Sequence, residues 1–583
     1  MEQIKDFLQQ HKFDIFYISG IILIFTICSV FSWGYFGNLF YDNGREAYLP
    51  QLILQGKVLY KDIFAMYNPL SYEINALLYA VFGQSLNILY LAGTINALFI
   101  TIGLYFISGL FINRFYSFIF CITIASIYIF GPITCTNYIF PYAYAFPYAL
   151  CGFIYYCLFS LLYLKSEKRI FILSAALSLG FSFACKPEFL LCIIPFLGLL
   201  IYKKESIKQI LLNFTVFLLP LIISWGILFF QGLEFKDSQK YIEFIYEFFN
   251  TREQQLFMSN TAFGWNIDNI KSIITDFVKT VLYLITAGAY FKLFTKQKSG
   301  IAGIILAPLF IILTAYLVIN NVTESSNPFS WTAIAALIIM ILCIKKYPKS
   351  IHQTFVQMLI FLAVNAIFSS IRLNLLLIQF AHSIYLSLIP LLVCWVYFIY
   401  TDNKFLEQYN LKRFIAAALV FLSIINLTIL FNAKHRIYAE LETNKGNIST
   451  VKTHVKVFQN TINWIFTNTK TDNTVVMLPE GPMINFLTGR KTNNLYYHLI
   501  PNHIAALGED NIIKDFSKNK PDYFLINNSD YSIYGSSEMC EDFGLKICNF
   551  IKENYQSIEK FEAGTNKKDY IYIEIYKLKK DRP

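Results

Sequence analysis

The sequence predicts a polytopic α-helical membrane protein that carries a small C-terminal α/β domain on the exterior face. Three observations lead there. The 583 residues are 56% hydrophobic and only 15% charged, whereas soluble proteins are about 25% charged. The apolar residues gather into about thirteen runs, most of them near the ~20 residues that a bilayer crossing needs. From Ala433 onward these runs stop and mixed polar and charged sequence takes over, so the chain divides into 1–432 and 433–583. The formal charge of +10 does not point to nucleic acid, because Lys and Arg are scattered between apolar runs and form no basic face.

Taken in order, residues 1–12 are polar, with Lys5 and Lys12, and the apolar run 13–33 follows without a small-residue cleavage site. It reads as a signal anchor. A polar loop, 34–85, comes next, then runs near 86–112, 115–133, 145–164, 169–185, 188–202 and 209–231. Runs near 276–294, 301–320, 331–344, 354–370, 383–400 and 414–431 complete the set. Basic clusters recur at every second connection: Arg114; Lys165, Lys168 and Arg169; Lys203, Lys204 and Lys208; Lys292, Lys296 and Lys298; Lys345, Lys346 and Lys349; Lys404, Lys412 and Arg413. The intervening loops near 134–144 and 321–330 carry no Lys or Arg. By the positive-inside rule the N-terminus is cytoplasmic, and loop 34–85 and the tail lie outside the cytoplasmic (inner) membrane, the tail being periplasmic.

The tail has β-type runs at 474–478, 522–527 and 570–578 and helical stretches near 447–468 and 538–554. At about 150 residues it is large enough for a core of its own. In its segment LPEGPMINFLTGR, Pro479, Gly481 and Pro482 end a strand; the segment reads as an ordinary turn or as a binding turn using Glu480 or Arg490. Nine of the eleven cysteines lie in or beside apolar runs, where Cys acts as a small hydrophobe. Cys540 and Cys548 would sit roughly 12 Å apart on one continuous helix, too far for a disulfide, unless Gly544 turns the chain between them. The long exterior loop 232–274, with Tyr241, Tyr246, Arg252, Trp265 and Asp268, suits the membrane interface or contact with a sugar or lipid.

Chemistry concentrates in residues 41–83. Asp42 and Glu46 are four apart, so on a helix both carboxylates share a face and form a candidate acid/base pair. From Pro69 a helical stripe of Leu70, Ile74, Leu77, Leu78 and Val81 follows, placing a helix along the interface. The runs themselves are nearly free of ionisable residues, which argues against an ion- or proton-coupled carrier. Instead the charges stand at outer span ends, where Lys186, Glu188, Arg372 and His382 lie. Such a surface fits general-base attack by a sugar or lipid hydroxyl on a donor whose phosphate is matched by Arg and Lys. The base would come from Asp42 and Glu46, and the phosphate contacts from Arg45, Lys186 and Arg372. Each basic residue taken singly also fits an ordinary interfacial ion pair.

The order of first span, Asp42-Asn43-Gly44-Arg45-Glu46, then G-K-x-x-Y-x-D at 56–62, Pro69-Leu70 and Phe82-Gly83 resembles the GT-C membrane glycosyltransferases. The likeness is to the protein O-mannosyltransferase and aminoarabinose transferase-like superfamily (glycosyltransferase family 39-like). There the first exterior loop carries a D-E motif and later a P-P-L segment; here Asn43 replaces the paired Glu, and Met66-Tyr67-Asn68 precedes Pro69. The resemblance implies a GT-C-like fold and inverting transfer of a sugar from a polyprenyl-phosphate donor to a glycan, lipid or protein acceptor. Asp42 would then be the base, with Glu46 assisting, Arg45, Lys186 and Arg372 on the phosphate, and Tyr67, Asn68 and His382 on substrate. Membrane lipids are further partners. No cofactor is required by the motifs and no metal ligands are assigned, while a divalent ion stays open. A lipid-linked sugar flippase and a non-catalytic envelope assembly protein are the competing readings.

Overall fold

The computed structural model describes residues 12–131, 137–260, 267–295, 309–310, 312–314, 331–346, 353–371, 385–401, 410–566 and 569–579. Five of the described helices are long and apolar enough to cross a membrane: Lys12–Ser32, Leu86–Gly109, Ala145–Ser166, Ile207–Phe230 and Leu411–Ile437. Shorter apolar helices accompany them, among them Leu70–Phe82, Arg169–Cys185 and Leu388–Tyr400. The protein is thus a helical membrane protein, but these helices do not establish thirteen crossings, and most of the 301–320 run lies outside the described residues.

Polar contacts mark two opposite ends of this bundle. At one end the Arg114 Nε meets Asp14 Oδ1 at 2.8 Å, and the Tyr105 hydroxyl donates to the same carboxylate at 2.8 Å. At the other end Trp33 Nε1 donates to Asn87 Oδ1 at 2.9 Å, joining the end of the first helix to the start of Leu86–Gly109. Loop 34–85 leaves from this second end. Two helices form within it, Asn43–Leu54 and Leu70–Phe82. Most of the described part of 232–274, expected as a loop, is helical: Phe235–Asn250, Arg252–Asn260 and the start of Ile267–Thr295 are helices, the first opened by a capping box in which Glu234 and Asp237 exchange bonds with each other's backbone. The Tyr241 ring of this first helix packs on Tyr60, 4.4 Å between centroids and tilted by 44°, and its hydroxyl donates to Met66 O at 3.1 Å, so the segment braces the first loop.

The helix Leu411–Ile437 runs directly into β1 (Tyr438–Leu441), which pairs antiparallel with β2 (Ile448–Val451). This ribbon binds the same end of the bundle, where Ser449 N donates to Gly34 O at 2.7 Å and Leu86 N to Lys445 O at 2.7 Å. Beyond the helix Lys452–Asn468 comes a sheet of order β3-β4-β6-β5, built from Val475–Leu478, Tyr523–Asn527, Ile571–Leu578 and Tyr555–Ala563. Strands β3 and β4 are parallel and the other pairs antiparallel. Every residue of β3 and β4 is buried, as expected when both faces are covered. The alternation sorts them: Val475, Met477 and Leu525 join a core shared with Lys452–Asn468 and the first loop, while Val476, Leu478, Phe524 and Ile526 join a second core with Ile512, Phe516, Ile547 and Ile551. Helix Leu545–Asn554 starts later than the expected 538, and Cys540 and Cys548 are disulfide-bonded with Cα atoms 5.4 Å apart. Gly544, at φ +65°, supplies the turn between them.

Candidate active site

The site is built on the start of the Asn43–Leu54 helix. Asp42 is its N-cap residue, yet its carboxylate makes no capping bond and turns instead to Arg45 Nη1 at 3.0 Å. The next side chains grip one stretch of backbone. Asn43 Nδ2 donates to Phe140 O and Pro141 O, both at 2.9 Å, while its Oδ1 accepts from Asn38 N at 2.8 Å. Arg45 Nη2 donates to Tyr142 O at 2.8 Å, and Glu46 Oε2 accepts from Tyr144 N at 2.9 Å. Glu46 Oε1 also takes Arg45 Nε at 3.2 Å. Asn43, Arg45 and Glu46 are therefore committed to residues 140–144, and Asp42 alone of the four presents a partly exposed carboxylate, 32% accessible against 1% for Glu46. Gly44 lies so close to Met483 that a Cβ there would collide with the Met483 backbone nitrogen.

Tyr67 links this helix to Lys186. The Arg45 guanidinium lies 5.4 Å from the Tyr67 ring centroid and the Lys186 ammonium 4.4 Å from it. Lys186 follows the helix Arg169–Cys185 in extended conformation, sits 5.0 Å from the Phe146 ring and pairs with Glu188 at 3.3 Å. The segment bearing Tyr67 is pinned residue by residue: Tyr60 Oη donates to Tyr67 O at 2.5 Å, and Asn68 Nδ2 donates to Phe183 O at 3.1 Å. Asn68 therefore spends its amide on backbone. Asp42, Arg45, Glu46, Tyr67 and Lys186 come together as one cluster, with Asn68 at its edge. Arg372 and His382 lie outside the described residues, as does Trp265.

Two further members arrive from the far end of the sequence. Glu480 stands two residues past β3, in the Pro-Gly turn, and is buried. Its backbone carbonyl takes a bond from Asn527 Nδ2 at 2.8 Å, and its Oε1 accepts from the Tyr531 hydroxyl at 3.0 Å. Its Oε2 lies 3.3 Å from His498 Nδ1. One ligand-type atom from each of Asp42, Glu480 and His498 falls within 4.8 Å of the others. Arg490, the other candidate in this segment, is structural: its guanidinium donates to Thr469 O at 3.0 Å, Thr469 Oγ1 at 2.9 Å and Thr488 O at 3.1 Å. Linear spacing gave no hint of His498; the turn after β3 did mark Glu480.

Burial governs the protonation of this cluster. It raises the Asp42 carboxyl, against the opposing pull of Arg45, and pushes Glu46 up to about 7, again opposed by Arg45 and by the Tyr144 N–H. Burial and then the Asp42 charge push Glu480 well above the carboxylate range. Burial, with His503 and Arg45 adding to it, holds His498 well below the usual imidazole value, so the ring is neutral. A raised carboxylate is a stronger proton acceptor than a surface one, which suits Asp42 to base chemistry on a hydroxyl.

No protein-family model matches the chain, and no curated protein matches it in sequence. Among solved structures it is similar to ArnT from Cupriavidus metallidurans bound to undecaprenyl phosphate, at 9% identity and a TM-score of 0.46, over 97% of this chain and 98% of that one. It is also similar to the archaeal oligosaccharyltransferase AglB from Archaeoglobus fulgidus in complex with an inhibitory peptide and a dolichol-phosphate, at 11% identity and a TM-score of 0.44, over 98% of this chain and 75% of that one. The apo oligosaccharyltransferase of the same organism gives 12% identity and a TM-score of 0.43, over 89% and 71%. These are GT-C membrane glycosyltransferases, the class that the first-loop motifs resemble.

Proposed function

We propose that the chain transfers a sugar from a polyprenyl-phosphate donor to an acceptor hydroxyl at the exterior face of the cytoplasmic membrane, in one inverting displacement. Asp42 takes the proton from the acceptor hydroxyl as its oxygen attacks the anomeric carbon. The bond from that carbon to the phosphate oxygen breaks, and the electron pair leaves with the phosphate. Arg45 and Lys186 offset the growing negative charge. Glu46 orients Arg45.

The observation that carries this reading is that two buried cations, Arg45 and Lys186, both pack on the Tyr67 ring, 5.4 Å and 4.4 Å from its centroid, with the Asp42 carboxylate 3.0 Å from the first of them. Two buried cations on one ring fit a phosphate better than a neutral ligand. Lys186 also caps the apolar helix Arg169–Cys185, so a prenyl chain in the bilayer would bring its phosphate to this end. Arg114, one of the basic residues that the positive-inside rule assigns to the cytoplasm, stands at the opposite end with Asp14, which supports an exterior site.

The test is donor dependence. Lys186→Met and Arg45→Met, assayed in membranes with labelled prenyl-phosphate sugar, are expected to raise the donor KM and lower kcat/KM by about 10- to 160-fold, the loss of one charge-assisted contact of about 1.5–3 kcal/mol. An unchanged donor KM in both variants would refute the phosphate assignment. Movement of the intact donor across sealed vesicles without a new glycosidic bond would favour the flippase reading instead.

A further inference from the structure

We infer that Asp42, Glu480 and His498 form a binding site for one divalent cation of the Zn2+ or Mn2+ type, joining the first loop to the C-terminal region. The three residues are 438 and 18 positions apart in sequence, yet each places a ligand-type atom within 4.8 Å of the others. Two carboxylates and one imidazole make a mixed oxygen and nitrogen donor set that borderline divalent metals accept.

The second observation is the state of the inner pair. Glu480 Oε2 and His498 Nδ1 are buried, with residue exposures of 4% and 3%, and neither atom has a hydrogen-bond partner. They stand 3.3 Å apart without bonding to one another, so they are misaligned for a hydrogen bond. Two such atoms left without one would each lose a bond to water and gain none in return. A shared ligand removes both deficits. With metal–ligand bonds of about 2.1 Å, two donors this far apart subtend roughly 100° at the ion, between octahedral and tetrahedral edges.

The surroundings fit the same ligand. Glu480 is oriented by the Tyr531 hydroxyl on Oε1 at 3.0 Å, which leaves Oε2 directed toward His498. His503 Nδ1 meets His498 O at 3.2 Å and fixes the local backbone. Asp42 meets Arg45 through Oδ1, and a carboxylate has a second oxygen to offer; its 32% exposure provides an entry path. The inference bears on the transfer reading at Asp42, whose basicity a bound ion would lower. The site itself does not depend on that reading, because metal content is measured without turnover.

The test uses the untagged full-length protein in detergent, stripped with EDTA and titrated separately with Zn2+ and Mn2+ by calorimetry, with metal content read by mass spectrometry after gel filtration. The expected result is one equivalent of at least one ion per chain, with affinity at least tenfold weaker in both Glu480→Gln and His498→Gln. Glu480→Gln keeps an acceptor for Tyr531, so it decides the matter if His498→Gln fails to fold. No stoichiometric uptake of either ion by the wild-type chain overturns the inference, as does unchanged affinity in a folded Glu480→Gln variant.

Discussion

Replacing Asn43 by Asp would bring the first loop closer to a paired-acid motif, and the structure predicts that it damages the protein. The amide of Asn43 donates to Phe140 O and Pro141 O at 2.9 Å each and accepts from Asn38 N at 2.8 Å. An aspartate keeps the acceptor and loses both donations. Pro141 O loses this donor inside the core, a cost of about 1–3 kcal/mol; Phe140 O keeps a bond from Asn137 Nδ2 at 3.0 Å and so loses only about 1 kcal/mol. The sum is about 2–4 kcal/mol before the new carboxylate's own desolvation next to Asp42 and Glu46, which adds to it. If that penalty falls on the arrangement competent for transfer, the rate drops about 30- to 900-fold. The assay is thermal unfolding of the purified chain in detergent alongside sugar transfer in membranes. A variant with the wild-type unfolding midpoint and wild-type transfer would show that Asn43 does not hold residues 140–144.

Two further outcomes follow from the same contacts. Gly44→Ala should lower both the unfolding midpoint and transfer, because its Cβ meets the Met483 backbone, although helix propensity alone favours Ala by about 1 kcal/mol; a stabilised Gly44→Ala chain would contradict the close approach. Tyr67→Leu removes the ring on which Arg45 and Lys186 both pack, at about 0.5–2 kcal/mol for each cation, and should raise the donor KM several-fold while membrane insertion is unchanged. An unaltered KM would separate Tyr67 from the phosphate contacts.

Much of the site's first half was legible because it is local. Asp42, Arg45 and Glu46 fall within one helical turn, and the polar stretch stands out between apolar runs. What that spacing could not show was the division of labour, since sharing a face does not decide which carboxylate faces solvent. Glu46 turned inward to the Tyr144 N–H, and Asn43, which looked like a lapse from the motif, proved to be the clamp on residues 140–144. The second half was hidden by distance along the chain: nothing local connects His498 to Asp42. In the fold, β5 went unread because its residues are mostly exposed and polar, so it lacks the alternation that marks a half-buried strand. The helix Phe235–Asn250 did carry a signal, the Glu234 and Asp237 capping box, which the aromatic content of that stretch obscured.

The central claim is that Asp42 is the base. Asp42→Asn keeps an oxygen to accept from Arg45 and nearly the same volume, so the chain should insert and elute as the wild type does. Its transfer of labelled sugar from the prenyl-phosphate donor should fall by about 10²–10⁴-fold, the usual contribution of a general base. Wild-type transfer by a folded Asp42→Asn chain would contradict the account.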